Sequence, residues 1–377
     1  MIVTVAIPKE TAEHENRVAL IPETVKKLTD LGLDVVVEKE AGLASNYLDD
    51  AYIESGATIQ DDRSELLKSA DILISIQTPP SEDLETLSEG TILICFLWAL
   101  QNEETVELLK SKSITALGMD AIPRISRAQN MDALSSMSSI AGYKSALIGA
   151  NELDRYLPMM MTAAGTIAPA KVLVLGAGVA GLQAIATAKR LGAVVEAFDI
   201  RPAVKEQVES LGATFVEVPD LDDESETEGG YAKELAEDEQ ERQRQVIHEH
   251  AKKSDIIITT ALIPGKPAPL LVTKEMVNDM HAGAVIVDLA AENGGNCELT
   301  EAGETVIENE VKVIGPINIT SMLAYHASQL YSKNMWGLLN HLLDEEGKPH
   351  FDFEDEITLN TTITHEGDII SPMLKEN

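Results

Sequence analysis

The feature that most constrains the fold is the segment KVLVLGAGVAG at residues 171–181. An apolar run typical of a β-strand is followed at once by Gly176, Gly178 and Gly181 in a GxGxxG spacing, and then by a helix-forming stretch. In such a segment the first glycine permits a tight turn, the second lets a pyrophosphate approach the backbone, and the third allows close helix–strand packing. The segment therefore predicts a βα unit that binds a dinucleotide at the helix N-terminus.

The second predicted strand of this unit, residues 194–197, leads to an acidic residue, Asp199. A carboxylate at this position accepts hydrogen bonds from the adenosine ribose hydroxyls and repels a 2′-phosphate, so we predict NAD(H) and not NADP(H). Arg201 leaves the preference open, because an arginine here could meet a 2′-phosphate, contact the diphosphate or point into solvent. The predicted nucleotide contacts of this segment are Gly176, Ala177, Gly178, Val179, Ala180, Gly181, Asp199, Ile200 and Arg201.

Predicted strands and helices alternate along the chain, which indicates α/β domains with largely parallel sheets. Further strands are predicted at 2–7, 34–39, 71–77, 91–96, 256–261, 284–289 and 312–314, and helices at 22–31, 64–69, 103–111 and 135–151. The charged segment 219–253 is too long for a tight βα connection and predicts a flap followed by a solvated helix. A later amphipathic stretch, 321–344, predicts a helix that returns to the first domain.

The predicted fold class is α/β, with two Rossmann-like domains whose largely parallel sheets are separated by a cleft. We expect residues 1–139 and 320–377 to form a discontinuous first domain that is completed by C-terminal helices. Residues 140–319 would form the dinucleotide-binding domain. NAD(H) is expected to lie in the cleft, as ligands of doubly wound sheets do.

Composition excludes several classes of function. With 63 acidic and 29 basic residues the chain has a formal net charge of −34, so its surface repels nucleic acid. The acidity could attract a basic partner or could form a strongly solvated surface suited to a high-salt cytoplasm, and the even spread of the charges favours the second interpretation. No apolar run reaches the roughly 18 residues of a membrane span. The start, MIVTVAIPKE, predicts a first β-strand and not a signal peptide. With only two cysteines, Cys95 and Cys297, we expect a cytoplasmic protein without a disulfide framework.

The most specific motif is PRISRAQNMDALSSMSSIAGYKSAL at residues 123–147. Together with IPKE, RVAL, KEQVESLGA, GGYAKE, TTALIPGKPAP and DLAAENGGN, it resembles the NAD(H)-binding alpha subunit, domain I, of proton-translocating NAD(P) transhydrogenases in the alanine dehydrogenase/transhydrogenase superfamily. The resemblance covers nearly the whole chain. It implies direct hydride transfer between NAD(H) bound here and NADP(H) held by a partner subunit, coupled to proton movement by a membrane-spanning subunit.

The resemblance also implies roles for residues of this motif. Arg124 would engage the carboxamide side of the nicotinamide, and Gln129, Asp132 and Ser135 would complete a polar network around the ring and its ribose. These four are the predicted catalytic residues, because hydride transfer between two rings needs orientation and not a general acid or base. Two alternatives remain: Asp132 and Ser135 could be ordinary helix-capping residues, and Arg127 could form a structural ion pair.

Two other segments are assigned to the nucleotide by the same resemblance. A flap carrying Gly230 and Tyr231 would close over the bound nucleotide and exclude water. Thr260, Ala261 and Leu262, which follow the predicted strand at 256–261, would contact it as well. The resemblance further implies a homodimer that lies at the inner face of the cell membrane through its partner subunits. We predict no metal site, because the sequence has no ligand spacing typical of zinc.

An alanine dehydrogenase is the main alternative enzyme. That related family binds its amino-acid substrate through an arginine, a lysine and a histidine. Arg17 matches the arginine, but Gln77 stands at the lysine position and Trp98 at the histidine position. A glutamine supplies no cation and an indole transfers no proton near neutral pH, so the transhydrogenase component is favoured and Arg17 is assigned a structural role. A non-catalytic NAD(H)-sensing module is a second alternative, because it would contain the same nucleotide contacts.

Overall fold

The computed structural model describes residues 2–218, 237–263 and 266–375. The chain divides into two compact units, of which the first combines Met1–Met137 with Ser321–Asn377 and the second is Ser138–Thr320. Both ends of the chain therefore belong to the first unit.

The described strands, in chain order, are β1 (Thr4–Ile7), β2 (Asp34–Glu38), β3 (Thr58–Gln60), β4 (Ile72–Gln77), β5 (Ile92–Phe96), β6 (Thr115–Gly118), β7 (Met160–Thr162), β8 (Gly165–Ile167), β9 (Lys171–Leu175), β10 (Val194–Phe198), β11 (Thr214–Phe215), β12 (Ile256–Thr259), β13 (Val285–Asp288), β14 (Thr305–Glu308), β15 (Val311–Ile314), β16 (Thr362–His365) and β17 (Asp368–Ile369).

The described α-helices are α1 (Pro22–Asp30), α2 (Asp49–Glu54), α3 (Arg63–Ser69), α4 (Ser81–Thr86), α5 (Glu103–Ser111), α6 (Ala133–Glu152), α7 (Val179–Arg190), α8 (Lys205–Ser210), α9 (Glu237–Ala251), α10 (Lys274–Asp279), α11 (Ala324–Leu342), α12 (Glu356–Thr361) and α13 (Pro372–Lys375). Short 3-10 helices cover Leu43–Ser45, Ser126–Met131, Pro202–Val204, Ala291–Asn293 and Ile319–Leu323.

The sheet of the first unit has the strand order β17-β16-β6-β5-β4-β1-β2-β3 in the described residues. Strands β1 to β6 are parallel and follow the doubly wound order 3-2-1-4-5-6. β4 and β5 are almost entirely buried, as expected of parallel strands covered by helices on both faces. β16 and β17, from the end of the chain, extend the sheet in the antiparallel direction.

The C-terminal helix α11 packs into the first unit through small hydroxyl residues. The Ser328 hydroxyl accepts the N–H of Val18 at 2.9 Å, and the Ser332 hydroxyl accepts the N–H of Ile21 at 3.1 Å. The buried Tyr331 hydroxyl donates to the carbonyl of Ser75 at 2.9 Å. The predicted return of this helix to the first domain is therefore explained by hydrogen bonds as well as by its apolar face.

The second unit repeats the doubly wound order with its strands β11-β10-β9-β12-β13-β15-β14. The strands from β11 to β15 in this list are parallel, and β14 pairs antiparallel with β15 at the edge. Separate apolar clusters cover the two faces of the sheet, one built around Val172 and Val174 and the other around Leu173 and Leu175. Strands β7 and β8 form a two-stranded hairpin of their own.

The predicted fold class, two α/β domains with largely parallel sheets, is confirmed. Several elements were not predicted, namely the short strands β3, β6, β11 and β14, the β7–β8 hairpin, the C-terminal strands β16 and β17, and the short helices α2, α4, α8 and α10. Among the described residues no helix has the length and apolar character needed to cross a membrane. Both cysteines are buried free thiols.

Candidate nucleotide-binding site

A glycine turn joins β9 to α7 at the carboxyl edge of the second sheet. Gly176 has a φ of +99°, and its N–H donates to the carbonyl of Phe198 at 2.8 Å. A Cβ on Gly181 would lie 1.9 Å from the carbonyl oxygen of Gly176, so only glycine fits there. The turn lies at the switch point between β9 and β12, which is where doubly wound sheets bind their ligands.

The N-terminus of α7 has the properties of an anion site. Gly178, its N-cap residue, makes no side-chain hydrogen bond to the helix, and a Cβ built on it would meet one described atom within 4 Å, an Arg201 guanidinium nitrogen at 4.0 Å. The glycine thus leaves room beside the first turn of the helix. Because the N–H groups and dipole of such a helix end attract phosphate, this segment fits the pyrophosphate of a dinucleotide.

Asp199 and Arg201 form a buried pair beside this turn. One Asp199 oxygen accepts the N–H of Ala177 at 2.7 Å and Arg201 Nη2 at 2.8 Å. The other accepts the backbone N–H and the Nε of Arg201, both at 2.9 Å. Only 14% of the Arg201 side chain is exposed, so Arg201 is folded back onto Asp199 and does not extend into solvent. The predicted ribose and phosphate contacts of the two side chains stay predictions.

The loop after β12 approaches the glycine turn. The Thr260 hydroxyl donates to the carbonyl of Gly176 at 3.1 Å. The next N–H, that of Ala261, donates to the side-chain oxygen of Asn296 at 3.0 Å. The structure therefore brings Thr260 and Ala261 to the same edge of the sheet as the glycine turn. Leu262 is exposed, Ile200 is half-buried against the core, and the predicted flap contacts Gly230 and Tyr231 lie outside the described residues.

The glycine turn is also in close contact with helix α6, a contact that was not predicted from the sequence. A Cβ on Gly142, in α6, would lie 1.9 Å from the carbonyl oxygen of Ala180. The backbone of α6 therefore lies directly against the first turn of α7. The sequence contained one sign of this contact: Gly142 lies in the middle of a predicted helix, where no local pattern requires a glycine.

In the first unit the RAQNMD motif, residues 127–132, lies in the 3-10 helix Ser126–Met131 and leads directly into α6. Asp132 caps α6, since its carboxylate accepts the N–H of Ser135 at 2.8 Å and the Ser135 hydroxyl at 2.5 Å. Arg124 and Gln129 are exposed. Of the four predicted catalytic residues, two are therefore exposed and two are hydrogen-bonded to each other at the helix start.

Helix α11 and the segment after it hold the motif in place. The Asn334 amide donates to the carbonyl of Asn130 at 2.9 Å, and Gly337 allows Asn130 and Met131 to pack closely on the helix. Arg127 pairs with Asp355 at 2.9 Å. The structural ion pair that the sequence left open for Arg127 is therefore present.

Of the three residues at the positions of the alanine dehydrogenase substrate site, Arg17 is buried in an ion pair with Glu15 and Gln77 is hydrogen-bonded to the same carboxylate. Arg17 binds both carboxylate oxygens of Glu15, at 2.7 and 2.5 Å, and both side chains are almost completely buried. Gln77 donates to the same carboxylate at 2.9 Å. Burial raises the pKa of Glu15, but the hydrogen bond and charge of Arg17 outweigh it and hold the pKa below its usual range. Arg17 is thus neutralised within the protein, and Trp98, a half-exposed indole, stands where a histidine would be needed.

Glu10 lies beside this cluster and lines a cavity of about 240 Å³ at the carboxyl ends of β1 and β4. Its carboxyl accepts the backbone N–H of Ile76 at 2.5 Å and that of Gln77 at 3.3 Å. Burial, opposed by the hydrogen bond from Ile76 and reinforced by the charge of Glu15, raises the pKa of Glu10 to about 7. The cavity also contains Arg63, which is paired with two carboxylates.

The raised pKa of Glu10 has a consequence for stability. Between the ordinary value of 4.5 and about 7 the unfolded chain loses this proton while the folded chain keeps it. The free energy of unfolding should therefore fall as pH rises through this window, by at most about 3 kcal/mol before screening by water in the cavity, and stay level above it. We expect Glu10→Gln to remove that fall. In urea unfolding, the free energy of unfolding of the variant minus that of the natural chain should then increase from pH 5 to pH 8. Parallel pH profiles for the two proteins would contradict this assignment.

Residues 6–141 match the N-terminal domain model of alanine dehydrogenase/PNT, and residues 145–372 match its C-terminal domain model. The chain belongs to the alanine dehydrogenase/PNT family. The family predicted from the sequence motifs is therefore confirmed.

Within this family, the chain is more similar to transhydrogenase subunits than to alanine dehydrogenases. The chain is 50% identical to an NAD(P) transhydrogenase alpha-subunit chain of Rhodospirillum rubrum over 98% of both chains, and 48% identical to "NAD(P) transhydrogenase subunit alpha" of Haemophilus influenzae over 98% of this chain and 72% of that one. The crystal structure of a transhydrogenase from Sinorhizobium meliloti has a TM-score of 0.89 and 44% identity, covering 97% of this chain and 100% of that chain. An alanine dehydrogenase of Staphylococcus saprophyticus is 32% identical over 79% of this chain and 74% of that one.

Proposed function

We propose that this chain is the NAD(H)-binding component of a proton-translocating NAD(P) transhydrogenase. The observation that carries the proposal is the Gly176–Gly181 turn at the switch point of the second sheet, where α7 presents an open N-terminus. In this function a nicotinamide bound here gives or receives a hydride, with two electrons, in exchange with the nicotinamide of NADP(H) held by a partner subunit. A further subunit that spans the membrane would keep the assembly at the inner face of the cell membrane.

The residues of the second unit would hold the adenosine and diphosphate. The α7 N-terminus supplies N–H groups to the phosphates, and Gly178 leaves them room. The carboxylate of Asp199, beside the turn, would accept the ribose hydroxyls and disfavour a 2′-phosphate. Its pairing with Arg201 supports NAD(H) selectivity, because Asp199 neutralises the guanidinium that a 2′-phosphate would need.

The residues of the 123–139 motif would orient the nicotinamide. Arg124 and Gln129 have the exposed polar side chains that can reach a carboxamide and a ribose. Asp132 and Ser135 would fix the geometry of the same segment through the helix cap, as well as joining the polar network. Orientation is the contribution required of the protein, because the cofactors carry the chemistry.

Two measurements test the proposal. The purified chain is titrated with NADH and NADPH, and transhydrogenation is then assayed with an NADP(H)-binding transhydrogenase component and an acetylpyridine analogue of NAD as hydride acceptor. We expect selective binding of NADH, and hydride transfer only when the partner component is added. Turnover of L-alanine or pyruvate by the chain alone would instead establish a dehydrogenase, in spite of the closed Glu15–Arg17 pair. NADH binding without transfer in the presence of the partner would indicate a sensing module.

We also propose that the component is a homodimer and that the β7–β8 hairpin contributes to the interface. Met161 is 78% exposed, and Met159, Tyr156 and Ile167 are also exposed large apolar side chains on or beside this hairpin. A two-stranded hairpin alone is marginally stable in water, so a partner surface that covers these side chains would stabilise it.

The dimer is tested by sedimentation of two single variants. Met161→Glu places a charge in the proposed interface, where burying an unpaired carboxylate is costly, and should convert the dimer to a monomer. Ile307→Glu is the matched control, because Ile307 is 64% exposed in the same unit on the edge strand β14. It should leave the dimer intact. A natural chain that sediments as a monomer, or a Met161→Glu variant that remains dimeric, would contradict the assignment.

A further inference from the structure

Two polar residues behind the loop after β12 are completely buried. Asp288, the last residue of β13, and Asn296, in the turn that follows, have no exposed surface. Neither belongs to the predicted nucleotide contacts. A buried carboxylate and a buried amide are costly unless their polar atoms are hydrogen-bonded, so their partners indicate what they hold in place.

Asp288 gathers donors from several segments. One carboxylate oxygen accepts the Thr259 hydroxyl and the N–H of Ala290, and the other accepts the N–H groups of Asn296 and Cys297 and the Thr300 hydroxyl, at distances from 2.7 to 3.0 Å. All of these partners donate, which suits an ionised carboxylate because it only accepts. Through Thr259, Asp288 ties the end of β12 to the turn that carries Asn296.

Asn296 holds the loop itself. Its side-chain oxygen accepts the N–H of Ala261 at 3.0 Å, and its amide nitrogen donates to the carbonyls of Ala261 at 2.9 Å and Pro269 at 2.8 Å. One side chain thus fixes both backbone groups of Ala261. Gly295, with a φ of +81°, makes the turn possible, since a Cβ there would lie 3.0 Å from an Asp288 oxygen and 2.8 Å from Thr300 Cβ.

The loop held in this way lies on one side of the switch point. Asp199, at the end of β10, lies on the side of β9 opposite to β12. A dinucleotide whose pyrophosphate lies over the glycine turn and whose adenosine lies toward Asp199 therefore presents its other half to the end of β12. Thr260 is hydrogen-bonded to Gly176 and therefore lies at the glycine turn, between the expected positions of the adenosine and nicotinamide halves.

We propose that Asp288 and Asn296 are positioning residues that fix the loop Thr260–Leu262 and thereby orient the nicotinamide half of the nucleotide. The proposal rests on the proposed function, because it requires NAD(H) at the glycine turn. Orientation is decisive for hydride transfer, since a displacement of about 1 Å can lower the rate roughly 100-fold.

The test compares Asp288→Asn and Asn296→Ala with Asp255→Asn. Asp255 is a suitable control because it is also buried and also accepts a backbone N–H, that of Lys171, but at the amino end of β12. Dissociation constants are measured for NADH and for AMP, which contains only the adenosine half. We expect Asp288→Asn and Asn296→Ala to weaken NADH binding about tenfold or more and AMP binding less than about twofold. Asp255→Asn should leave the ratio of the two affinities unchanged.

Thermal unfolding is recorded for each variant. Should Asp288→Asn fail to fold, Asn296→Ala carries the test, because it removes a neutral side chain and leaves the Asp288 contacts to Thr259 and Thr300 in place. If the natural chain binds NADH while the variants lower the melting temperature but keep the natural ratio of NADH to AMP affinity, that result would overturn the positioning role and leave the proposed function intact. A natural chain that does not bind NADH would overturn the proposed function and, with it, this assignment.

Discussion

Asp199→Ala is expected to weaken NADH binding at least tenfold and to strengthen NADPH binding, so that the selectivity ratio changes roughly 100-fold. The NADH loss follows because hydrogen bonds to a charged group contribute about 1.5–3 kcal/mol each. The NADPH gain follows because the guanidinium of Arg201, now neutralised by Asp199, would be left beside the glycine turn without that carboxylate and could pair with a 2′-phosphate. Both dissociation constants are measured by fluorescence titration.

Two further variants separate this effect from a general disturbance of the turn. Glu196→Ala is the matched control, because Glu196 is a carboxylate of the same strand, β10, that is paired with His250. It should leave both affinities unchanged. Asp199→Ala combined with Arg201→Ala should lose the NADPH gain while keeping the NADH defect. Equal weakening of both nucleotides by Asp199→Ala would show that its hydrogen bond to Ala177, and not its charge, is the important contribution.

The regular parts of the fold could be predicted because their signals are local. For example, the apolar runs of β4 and β5 predict central parallel strands, and the structure shows both strands almost entirely buried. Two of the missed strands lack such a run: β3 has three half-exposed or exposed residues, and β14 is an edge strand with exposed positions. Their existence depends on pairing with β2 and β15, which no local pattern reveals.

The candidate site shows the same division. The glycine spacing and Asp199 are read directly from adjacent residues, because one βα unit contains the whole phosphate-binding geometry. By contrast, three hydrogen bonds join segments that are distant in the chain: Gln77 to Glu15, Thr259 to Asp288, and Ala261 to Asn296. The sequence alone does not show these contacts. Only the fold shows which residue each of these side chains is hydrogen-bonded to. The raised pKa of Glu10 likewise arises from burial, which the sequence does not display.

Gln129→Ala is expected to slow hydride transfer roughly 10- to 100-fold while changing NADH affinity less than about threefold. Gln129 is exposed at the 3-10 helix that precedes α6, so its loss leaves no buried group unsatisfied. If its amide orients the nicotinamide or its ribose, the ring would occupy a wider range of positions, and fewer of them would allow transfer. Single-turnover transfer to an acetylpyridine analogue, measured with the partner component, gives the rate, and fluorescence titration gives the affinity.

Arg127→Ala is the matched control for this prediction. Arg127 is an exposed residue of the same short helix, but it is engaged in an ion pair with Asp355. Its removal should lower stability by less than about 1 kcal/mol, as for other exposed pairs, and leave the transfer rate unchanged. If Gln129→Ala weakens NADH binding without slowing transfer at saturation, Gln129 contributes to binding alone. If instead Arg127→Ala slows transfer as much as Gln129→Ala, the motif acts through the stability of its 3-10 helix and not through an individual amide.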